Sequence, residues 1–352
     1  MKIYQRKRFW AGILLAQFLL FYLFSKVEFV ISIFGKFFEL QKRNHQLLFS
    51  KIPFSVGDLL YIFIILLGIF SILKIIRTQN KNKYFTAILI GINILYFLYQ
   101  CFWGMLYFQR PIKERLPNTE IKISKVKALT LEYLQRSKMS RKLVQEDQHG
   151  VFKIKNQRSI ETEILNQQNH LPFHITSKKS TSVYSFKRSS FTTVINYTGI
   201  LGYYNPFTAE AQYNSALPAT YIPFTLAHES SHQLGFAREQ EANFIGYLIG
   251  NNSENLDLKY STEYFVLKSL LNYLQKDDVD FVKSVINQYS EGMKRDRNAE
   301  KMFIKKHEGI LDIIFGYTND LFLKSNQQEG SITYSYFIDL LLQYQPTSDH
   351  ST

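Results

Sequence analysis

Long apolar runs alternate with short basic links in the first third of the chain. Segment 10–24 is almost uninterrupted (WAGILLAQFLLFYLF), segment 56–76 contains two charged residues, and segment 84–108 contains none. The second and third runs are long enough to cross a hydrocarbon core of about 30 Å as helices, whereas the first is marginal in length. This pattern predicts three transmembrane helices in an N-terminal membrane domain, residues 1–109.

The first apolar run has a second interpretation, because a basic start followed by an apolar stretch is also typical of a signal peptide over residues 1–25. No small-residue cleavage site follows Phe24, and the chain continues with Lys26 and Glu28. These features favour a retained helix over a cleaved leader.

Positive charge is concentrated beside the apolar runs. Residues 1–110 hold fourteen Lys or Arg and three acidic residues, so they carry +11 of the net charge of +13. The basic character is therefore attributed to membrane topology and contact with anionic lipid, and no nucleic-acid partner is expected. Basic residues precede the first run and fill the link 74–83, which predicts that both are cytoplasmic and that everything after Arg110 is external. The basic loop 25–53 opposes this orientation unless 29–40 is an amphipathic helix lying in the interface.

The pattern changes to polar after Arg110, and residues 110–352 are predicted to form an extramembrane domain. Apolar positions recur at helical spacing in several segments, whereas 182–196 is rich in β-branched and aromatic residues and predicts short strands. Segment 199–206 (GILGYYNP) predicts a turn or an edge strand to which an extended peptide could add. The expected fold is α+β and mostly helical, with a small sheet before the functional helix. The predicted helices are 125–147, the helix containing residues 228–232, 239–250, 262–275, 280–293, 301–315 and 331–344.

Five residues, 228–232 (HESSH), form the HExxH pattern of zinc peptidases. On an α-helix, His228 and His232 lie on the same face and can bind one Zn²⁺, while Glu229 between them can act as general base on water. The chain has one cysteine, Cys101, within the third apolar run, so cysteine ligands for zinc are excluded. The pattern predicts a zinc-dependent hydrolase.

Catalytic zinc usually takes three protein ligands, so one more is needed. Gly235 matches the start of the metzincin pattern HExxHxxGxxH, but position 238 is Arg, which excludes a metzincin. The downstream residues are similar to the Glu-type zinc peptidases, whose third ligand lies on the following helix in an ExxA[DN] arrangement. We therefore expect Glu239 as third ligand and Asn243 as the residue that orients one of the two histidines. Glu241 is an alternative ligand, because the phase of a helix is uncertain near its start.

A side chain that stabilises an oxyanion or binds substrate is also expected, and the sequence does not rank the candidates. His170 and His174 share the i, i+4 spacing, but Pro172 lies between them and no acidic residue adjoins them. We therefore do not expect them to bind a metal. The candidates for oxyanion stabilisation or substrate binding are Tyr203, Tyr204, Asn205, Arg238, His307 and Tyr317.

Five blocks spread along the chain carry a resemblance to a known family: PFSVGDLLY at 53–61, GMLYFQRPIKERL at 104–116, GYYNPFTAEAQYN at 202–214, AHESSHQLGFAREQEANF at 227–244 and GSITYSYFIDLLLQY at 330–344. Through these blocks the chain as a whole resembles a bacterial membrane protein family known as domain of unknown function 3810. The resemblance implies a membrane-anchored, zincin-like protein of Gram-negative bacteria, with the domain after Arg110 in the periplasm. It also implies that Asn205, Pro206 and Glu210 belong to a motif near the site, where Asn205 positions substrate or, as Asn-Pro favours, forms a turn.

The expected function is that of a zinc metallopeptidase anchored in the bacterial inner membrane by several spans. It would hydrolyse peptide bonds with Glu229 as general base, with Zn²⁺ as cofactor and with membrane lipid and a peptide or protein substrate as partners. The alternative is a non-catalytic membrane-anchored sensor or scaffold that retains a metal site. A closed structural site would need a fourth protein ligand, for which Glu241 is the nearest candidate.

Overall fold

The computed structural model describes residues 7–118, 120–309, 313, 316 and 333–344. The chain is mostly helical with a small sheet, as the sequence predicts, and it divides into two compact units. The first unit comprises the residues up to Gln109 together with the loop Asn205–Glu210. The second unit comprises Arg110–Tyr204 and the chain from Ala211 onward.

The first unit contains four long helices, and the prediction of three membrane-spanning candidates is confirmed. Helices α1, α3 and α4 are long and apolar enough to cross a membrane, judged by length and composition. Helix α4 ends earlier than the predicted run, because Trp103 leaves the helical conformation (φ −147°, ψ −52°) and Gly104–Phe108 forms a 3₁₀-helix. The helices are α1 Lys7–Phe24, α2 Glu28–Phe49, α3 Val56–Arg77 and α4 Lys81–Phe102.

Polar side chains join α1 to α4. The amide of Gln17 donates to Oδ1 of Asn93 at 3.0 Å, and the amide of Asn93 donates to the carbonyl of Trp10 at 3.1 Å. Hydrogen bonds of this kind hold helices together where no water competes for the polar groups. They connect α1 to α4 within the first unit.

Helix α2 buries polar side chains and exposes large apolar ones. Gln41, Lys42 and Gln46 are buried together with Phe38, whereas Phe29 and Leu40 keep 74% and 63% of their surface exposed. Large exposed apolar side chains are expected of a helix whose outer side contacts lipid. The helix is longer than the predicted interfacial segment 29–40, since it continues to Phe49.

The second unit contains the remaining helices and the sheet. Within the part of the chain that the structure describes, the sheet has three strands in the order β1-β3-β2, and β1 runs parallel to β3. β2 is therefore an edge strand, and the loop Asn205–Glu210 joins it to β3. The strands are β1 Phe186–Arg188, β2 Gly202–Asn205 and β3 Glu210–Tyr213. The helices are α5 Ile123–Arg141, α6 Gln157–Gln167, α7 Thr192–Ile195, α8 Ile222–Gln233, α9 Glu239–Asn251, α10 Leu256–Leu274, α11 Val279–Asn287, α12 Glu291–His307 and α13 Thr333–Gln343.

Two sequence predictions for this unit were wrong in detail. Of the segment 182–196, only β1 pairs with another strand, and Thr192–Ile195 forms a short helix despite its β-branched residues. The predicted helix 280–293 is divided, because the Ser290 hydroxyl accepts a hydrogen bond from the Met293 amide and caps a new helix. That helix, α12, runs to His307 and so covers the start of the predicted helix 301–315. Residues 310–312 and 314–315 of that prediction lie outside the described residues.

A buried ion pair ties α5 to α12 in the core of the second unit. Nε of Arg141 lies 2.6 Å from a carboxylate oxygen of Asp296, and the two side chains are 3% and 0% exposed. Asp296 also accepts hydrogen bonds from the Tyr260 hydroxyl and from the backbone amide of Phe152. Every oxygen of this buried carboxylate therefore has a partner, which is the condition under which a buried charge is tolerated.

Candidate metal centre

Helix α8 carries the HExxH residues and packs against α9 and α10. Its N-cap residue, Tyr221, makes no capping hydrogen bond with its side chain. The cap comes from α10, since the Ser261 hydroxyl accepts from the Phe224 amide at 3.1 Å and donates to the Thr220 carbonyl at 2.7 Å. A helix start needs partners for its first amides, and here a buried side chain from another helix supplies one.

The hydrogen bonds of the two histidines leave Nε2 of each ring on the side of the cluster. Nδ1 of His232 donates to the Phe236 carbonyl at 2.6 Å, because a carbonyl oxygen can only accept. Nδ1 of His228 lies 2.8 Å from Oδ1 of Asn243, to which it donates. With both Nδ1 atoms used in this way, Nε2 is the nitrogen of each ring that is available to a metal ion. Asn243, expected to orient one of the histidines, contacts His228.

The chain then turns and brings Glu239 to both rings. Gly235 adopts a left-handed conformation (φ +91°), which ends α8 at the position where the sequence predicts a turn, and Lys178 donates to the Gly235 carbonyl. Glu239 is the first residue of α9, and its carboxylate lies 3.2 Å from Nε2 of His228 and 3.6 Å from Nε2 of His232. One ligand atom from each of the three residues lies within 4.8 Å of the others.

Glu241, the alternative third ligand, lies elsewhere. Its carboxylate accepts from the backbone amide of Ile112 at 2.8 Å and lies 3.3 Å from the Arg238 guanidinium. These contacts hold Glu241, at the start of α9, to Ile112 and Arg238. Of the two acidic residues between which the sequence leaves the choice, the structure brings Glu239 to the histidines and holds Glu241 away from them.

Glu229 lies beside the cluster in an almost closed environment. The residue is 3% exposed, and its Oε2 atom is buried without a hydrogen-bond partner among the described residues. β2 passes close to it, since a Cβ atom at Gly202 would lie 2.8 Å from Oε1 of Glu229. Burial, together with the neighbouring charge of Glu239, raises the pKa of Glu229 to about 8. A carboxylate with an unpaired oxygen and a raised pKa is suited to take up a proton.

The ligand residues influence one another's protonation. Burial disfavours the charged form of His228, but the hydrogen bond of Glu239 and the charges of Glu229 and Glu239 outweigh it and raise the pKa of His228 to about 9. Burial lowers the pKa of His232 to about 4. Burial would raise the pKa of Glu239, but the two imidazoles outweigh it and lower that pKa to about 2. The cluster thus pairs an ionised carboxylate with imidazoles, which is a combination that attracts a divalent cation.

The donor set fits zinc. Two imidazole nitrogens and one carboxylate oxygen are the ligands of many catalytic zinc sites, and zinc takes them without a demanding geometry. The buried, unpartnered Oε2 of Glu229 adds a polar atom beside the ligands that a water molecule could satisfy. The side chain of Glu239 keeps 35% of its surface exposed, so the cluster is open on that side.

The further candidates for oxyanion or substrate binding are dispersed. Tyr204 is buried in β2, and the Tyr203 hydroxyl lies 2.7 Å from the Ser189 hydroxyl. Arg238 contacts Glu241 and lines a cavity of about 590 Å³ at the start of α9. Nδ1 of His307 lies 2.8 Å from the Phe303 carbonyl, and the ring packs against Tyr197.

Of three further predicted residues, two have other positions or roles and one lies outside the described residues. Oδ1 of Asn205 accepts from the amides of Phe207 and Thr208, which is the turn-forming role. Glu210 belongs to the first unit. Tyr317 lies outside the described residues.

The second histidine pair does not form a metal cluster in the described part of the chain. His170 contacts the carbonyl of Asn166, and His174 stacks on Tyr344. His228, His232 and Glu239 form the group that could hold a metal ion there.

Sequence reasoning missed three contributors to the site. Gly202 lies against Glu229, the carbonyl of Phe236 orients His232, and Lys178 fixes the turn at Gly235. A backbone carbonyl leaves no trace in a sequence. Gly202 could have been noticed as a glycine within the edge strand, because glycine in a strand often marks close approach of another group.

The comparisons with known proteins give a family but no further relative. No curated protein and no solved structure matches the chain. The family described as "Protein of unknown function (DUF3810)" matches residues 34–342, which include parts of both units and the whole cluster. On that match the chain belongs to this family of unknown function, DUF3810.

Proposed function

We propose that the protein is a membrane-anchored zinc-dependent peptidase. The observation that carries the proposal is the convergence of Nε2 of His228, Nε2 of His232 and the carboxylate of Glu239 beside the unpaired Oε2 of Glu229. A purely structural metal site would explain the three ligand residues but not Glu229. A buried carboxylate oxygen without a partner costs folding free energy, and such a group is typical of sites where it has a chemical role.

The residues divide the work of hydrolysis among them. His228, His232 and Glu239 would hold the zinc ion, and Asn243 keeps the ring of His228 in its orientation. When bound, zinc supplies Lewis acidity that activates water and polarises a carbonyl group. Glu229 takes a proton from the attacking water, whose oxygen forms a bond to the carbonyl carbon of the substrate. Glu229 then passes that proton to the nitrogen of the amide as the C–N bond breaks, so a carboxylic acid and an amine leave.

The non-catalytic alternative, a sensor or scaffold with a structural metal, is less well supported. A closed structural site needs a fourth protein ligand. In the described part of the chain the cluster has three members, and the nearest surplus acid, Glu241, is engaged by Ile112 and Arg238. The partly exposed Glu239 also leaves a side open to substrate.

The proposed localisation is supported by the charge pattern and the three apolar helices. Basic residues before α1 and between α3 and α4 favour a cytoplasmic position for both links, so the second unit would be periplasmic in the inner membrane of a Gram-negative bacterium. The test uses single cysteines in a Cys101→Ser background, at the exposed positions Gln148 and Asn82. A membrane-impermeant maleimide added to intact cells should label Gln148→Cys and not Asn82→Cys. The opposite labelling would reverse the orientation.

The peptidase itself is tested with the full chain in lipid nanodiscs. We expect one zinc per chain by elemental analysis and hydrolysis of a quenched fluorescent peptide library. Because a positioned general base contributes about 10²–10⁴-fold, Glu229→Gln should lower the rate by that factor while zinc remains bound. Protein that binds no zinc when metal is supplied, or a Glu229→Gln variant as active as the original, overturns the proposal.

Glu239 and Glu241 provide a matched pair for the third ligand. They lie two residues apart at the start of the same helix and carry the same side chain. Glu239→Gln should weaken zinc binding, because an amide oxygen is a poorer ligand than a carboxylate. Glu241→Gln should lower the stability of the fold but leave zinc affinity unchanged. A larger loss of affinity in Glu241→Gln would assign the ligand to Glu241 instead.

A further inference from the structure

Three helices of the second unit, α10, α11 and α12, leave a cavity of about 240 Å³ between them. None of the described residues that line it belongs to the candidate metal centre. One side of the cavity is apolar, and Ile304 at its edge keeps 48% of its surface exposed. The apolar lining residues are Leu271, Val282, Ile286 and Ile304.

One ion pair in the wall of this cavity is complete without a ligand. Nζ of Lys268 lies 2.7 Å from Oε1 of Glu300, the acidic residue of the lining, and the Thr220 hydroxyl donates to the same oxygen. The ammonium group also lies over the rings of Tyr221 and Tyr264, at 4.1 and 4.6 Å from their centroids. The negative charge of Glu300 is thus balanced by a cation that the two aromatic rings hold in place.

Two basic side chains of the same wall are not balanced in this way. Arg297 and Lys301 lie one helical turn apart on α12, and both line the cavity. Neither side chain forms a salt bridge or a hydrogen bond with another residue in the described part of the chain. Two unbalanced positive charges beside an apolar wall favour a ligand that carries a negative charge.

A buried hydroxyl in the lining also lacks a partner. Tyr264 on α10 is 0% exposed, and its hydroxyl oxygen makes no hydrogen bond with a described residue. Burial, together with the charge of Glu300, raises the pKa of Tyr264 well above its usual value, so the hydroxyl keeps its proton. A buried donor without an acceptor costs folding free energy, and an acceptor bound in the cavity removes that cost.

We propose that this cavity binds a small amphiphilic anion, in which a phosphate or carboxylate group is attached to a short apolar body. Arg297 and Lys301 pair with the charge, the Tyr264 hydroxyl donates to one oxygen, and the apolar body lies against Leu271 and Val282. The guanidinium of Arg297 can offer two parallel N–H donors to such a group. The cavity is smaller than the about 300–1,000 Å³ of pockets for drug-sized ligands, so the ligand is small. The proposal does not depend on peptidase activity.

Calorimetric titration of the full chain in nanodiscs of zwitterionic lipid tests the site. The probe is phenyl phosphate, which joins a phosphate group to an aromatic ring, and we expect one binding site per chain. Inorganic phosphate has the charge without the apolar body, so it should bind at least about tenfold more weakly.

Three variants assign the binding to the cavity. Arg297→Gln should weaken phenyl phosphate binding about 10- to 100-fold, because it removes charge-assisted hydrogen bonds. Tyr264→Phe keeps the ring and removes only the hydroxyl, so it should weaken binding about 2- to 10-fold without lowering the thermal stability of the ligand-free protein. Lys306→Gln is the matched control for charge, since Lys306 lies on the same helix but does not line the cavity. It should bind the probe like the original protein.

The proposal fails if the original protein does not bind phenyl phosphate at millimolar concentration, or if Arg297→Gln or Tyr264→Phe keeps the original affinity. An equal loss in Lys306→Gln also overturns it, because overall charge would then attract the anion. Phosphate that binds at the metal centre instead would be insensitive to all three variants. Repeating the titration with anionic lipid in the nanodiscs separates two sources of the ligand. Competition identifies a lipid headgroup and unchanged binding a soluble molecule, and either result supports the site.

Discussion

Gly202→Ala is expected to impair catalysis while the metal ligands stay in place. A Cβ atom at this position would lie 2.8 Å from Oε1 of Glu229, from the Gln212 carbonyl oxygen and from Cγ2 of Thr225. Ordinary van der Waals contact begins at 3.4 Å, so each distance is short by about 0.6 Å. The Gln212 oxygen is backbone of the central strand and cannot rotate away. β2 must therefore move.

The size of the effect follows from that displacement. Overpacking of this kind costs about 1–3 kcal/mol of folding free energy. A misplacement of 1 Å near reacting groups lowers a rate by about 10²-fold, so a shift of about 0.6 Å should lower kcat/KM by about tenfold. The zinc content should remain at one per chain, because the three atoms nearest to that Cβ position belong to Gln212, Glu229 and Thr225 and not to a ligand residue.

The assay measures hydrolysis, zinc content and urea unfolding of the full chain in nanodiscs. Gly309→Ala is the matched control, since nothing lies within 4 Å of a Cβ atom there. It should behave as the original protein in all three measurements. A Gly202→Ala variant with the original kcat/KM would refute the close approach of β2 to the base. Loss of zinc in that variant would show instead that the strand supports the ligands.

Two further predictions concern the metal and the core. Asn243→Ala removes the partner of Nδ1 of His228 and should weaken zinc affinity about 10- to 100-fold, as measured in competition with a chromophoric chelator. Asn243→Asp keeps an acceptor for Nδ1 and should retain most of the affinity. Equal affinity of all three proteins would contradict an orienting role. Asp296→Ala removes the fully buried partner of the Arg141 guanidinium, which keeps the half-exposed Glu146 and the Gly150 carbonyl, and should lower the free energy of unfolding by about 3–5 kcal/mol, as measured by urea titration. A loss below 1 kcal/mol would mean that water reaches Arg141.

The site could be predicted largely because its residues are close in sequence. The i, i+4 spacing of His228 and His232 fixes their relative position as soon as the segment is helical, and Gly235 marks where that helix ends. Glu239 and Asn243 follow by the same helical geometry one turn apart. The choice between Glu239 and Glu241 needed the structure, because only the contact of Glu241 with the distant Ile112 amide removes it from the cluster.

The rest of the fold depends on contacts that the local pattern does not contain. Helix α6 is mostly polar and was missed, although its Asn156 cap and buried Ile160 and Ile164 are helical signals. Segment 192–195 is β-branched yet helical, since pairing with a neighbouring strand decides strand formation more than propensity does. The burial of Glu210 at the start of α3 joins residues more than 150 positions apart, and no short-range pattern predicts such a contact.

Because Ser261 of α10 caps the start of α8, the parts of the site form in a defined order during synthesis. The ribosome makes the two histidines and Glu239 before it makes Ser261, the residue that satisfies the Phe224 amide at the start of their helix. Short isolated helices are marginal in water, so α8 gains its full stability only once α10 has emerged and docked. The three candidate metal ligands are thus complete in sequence before their helix is complete in structure, and the proposed zinc site would form at the later stage.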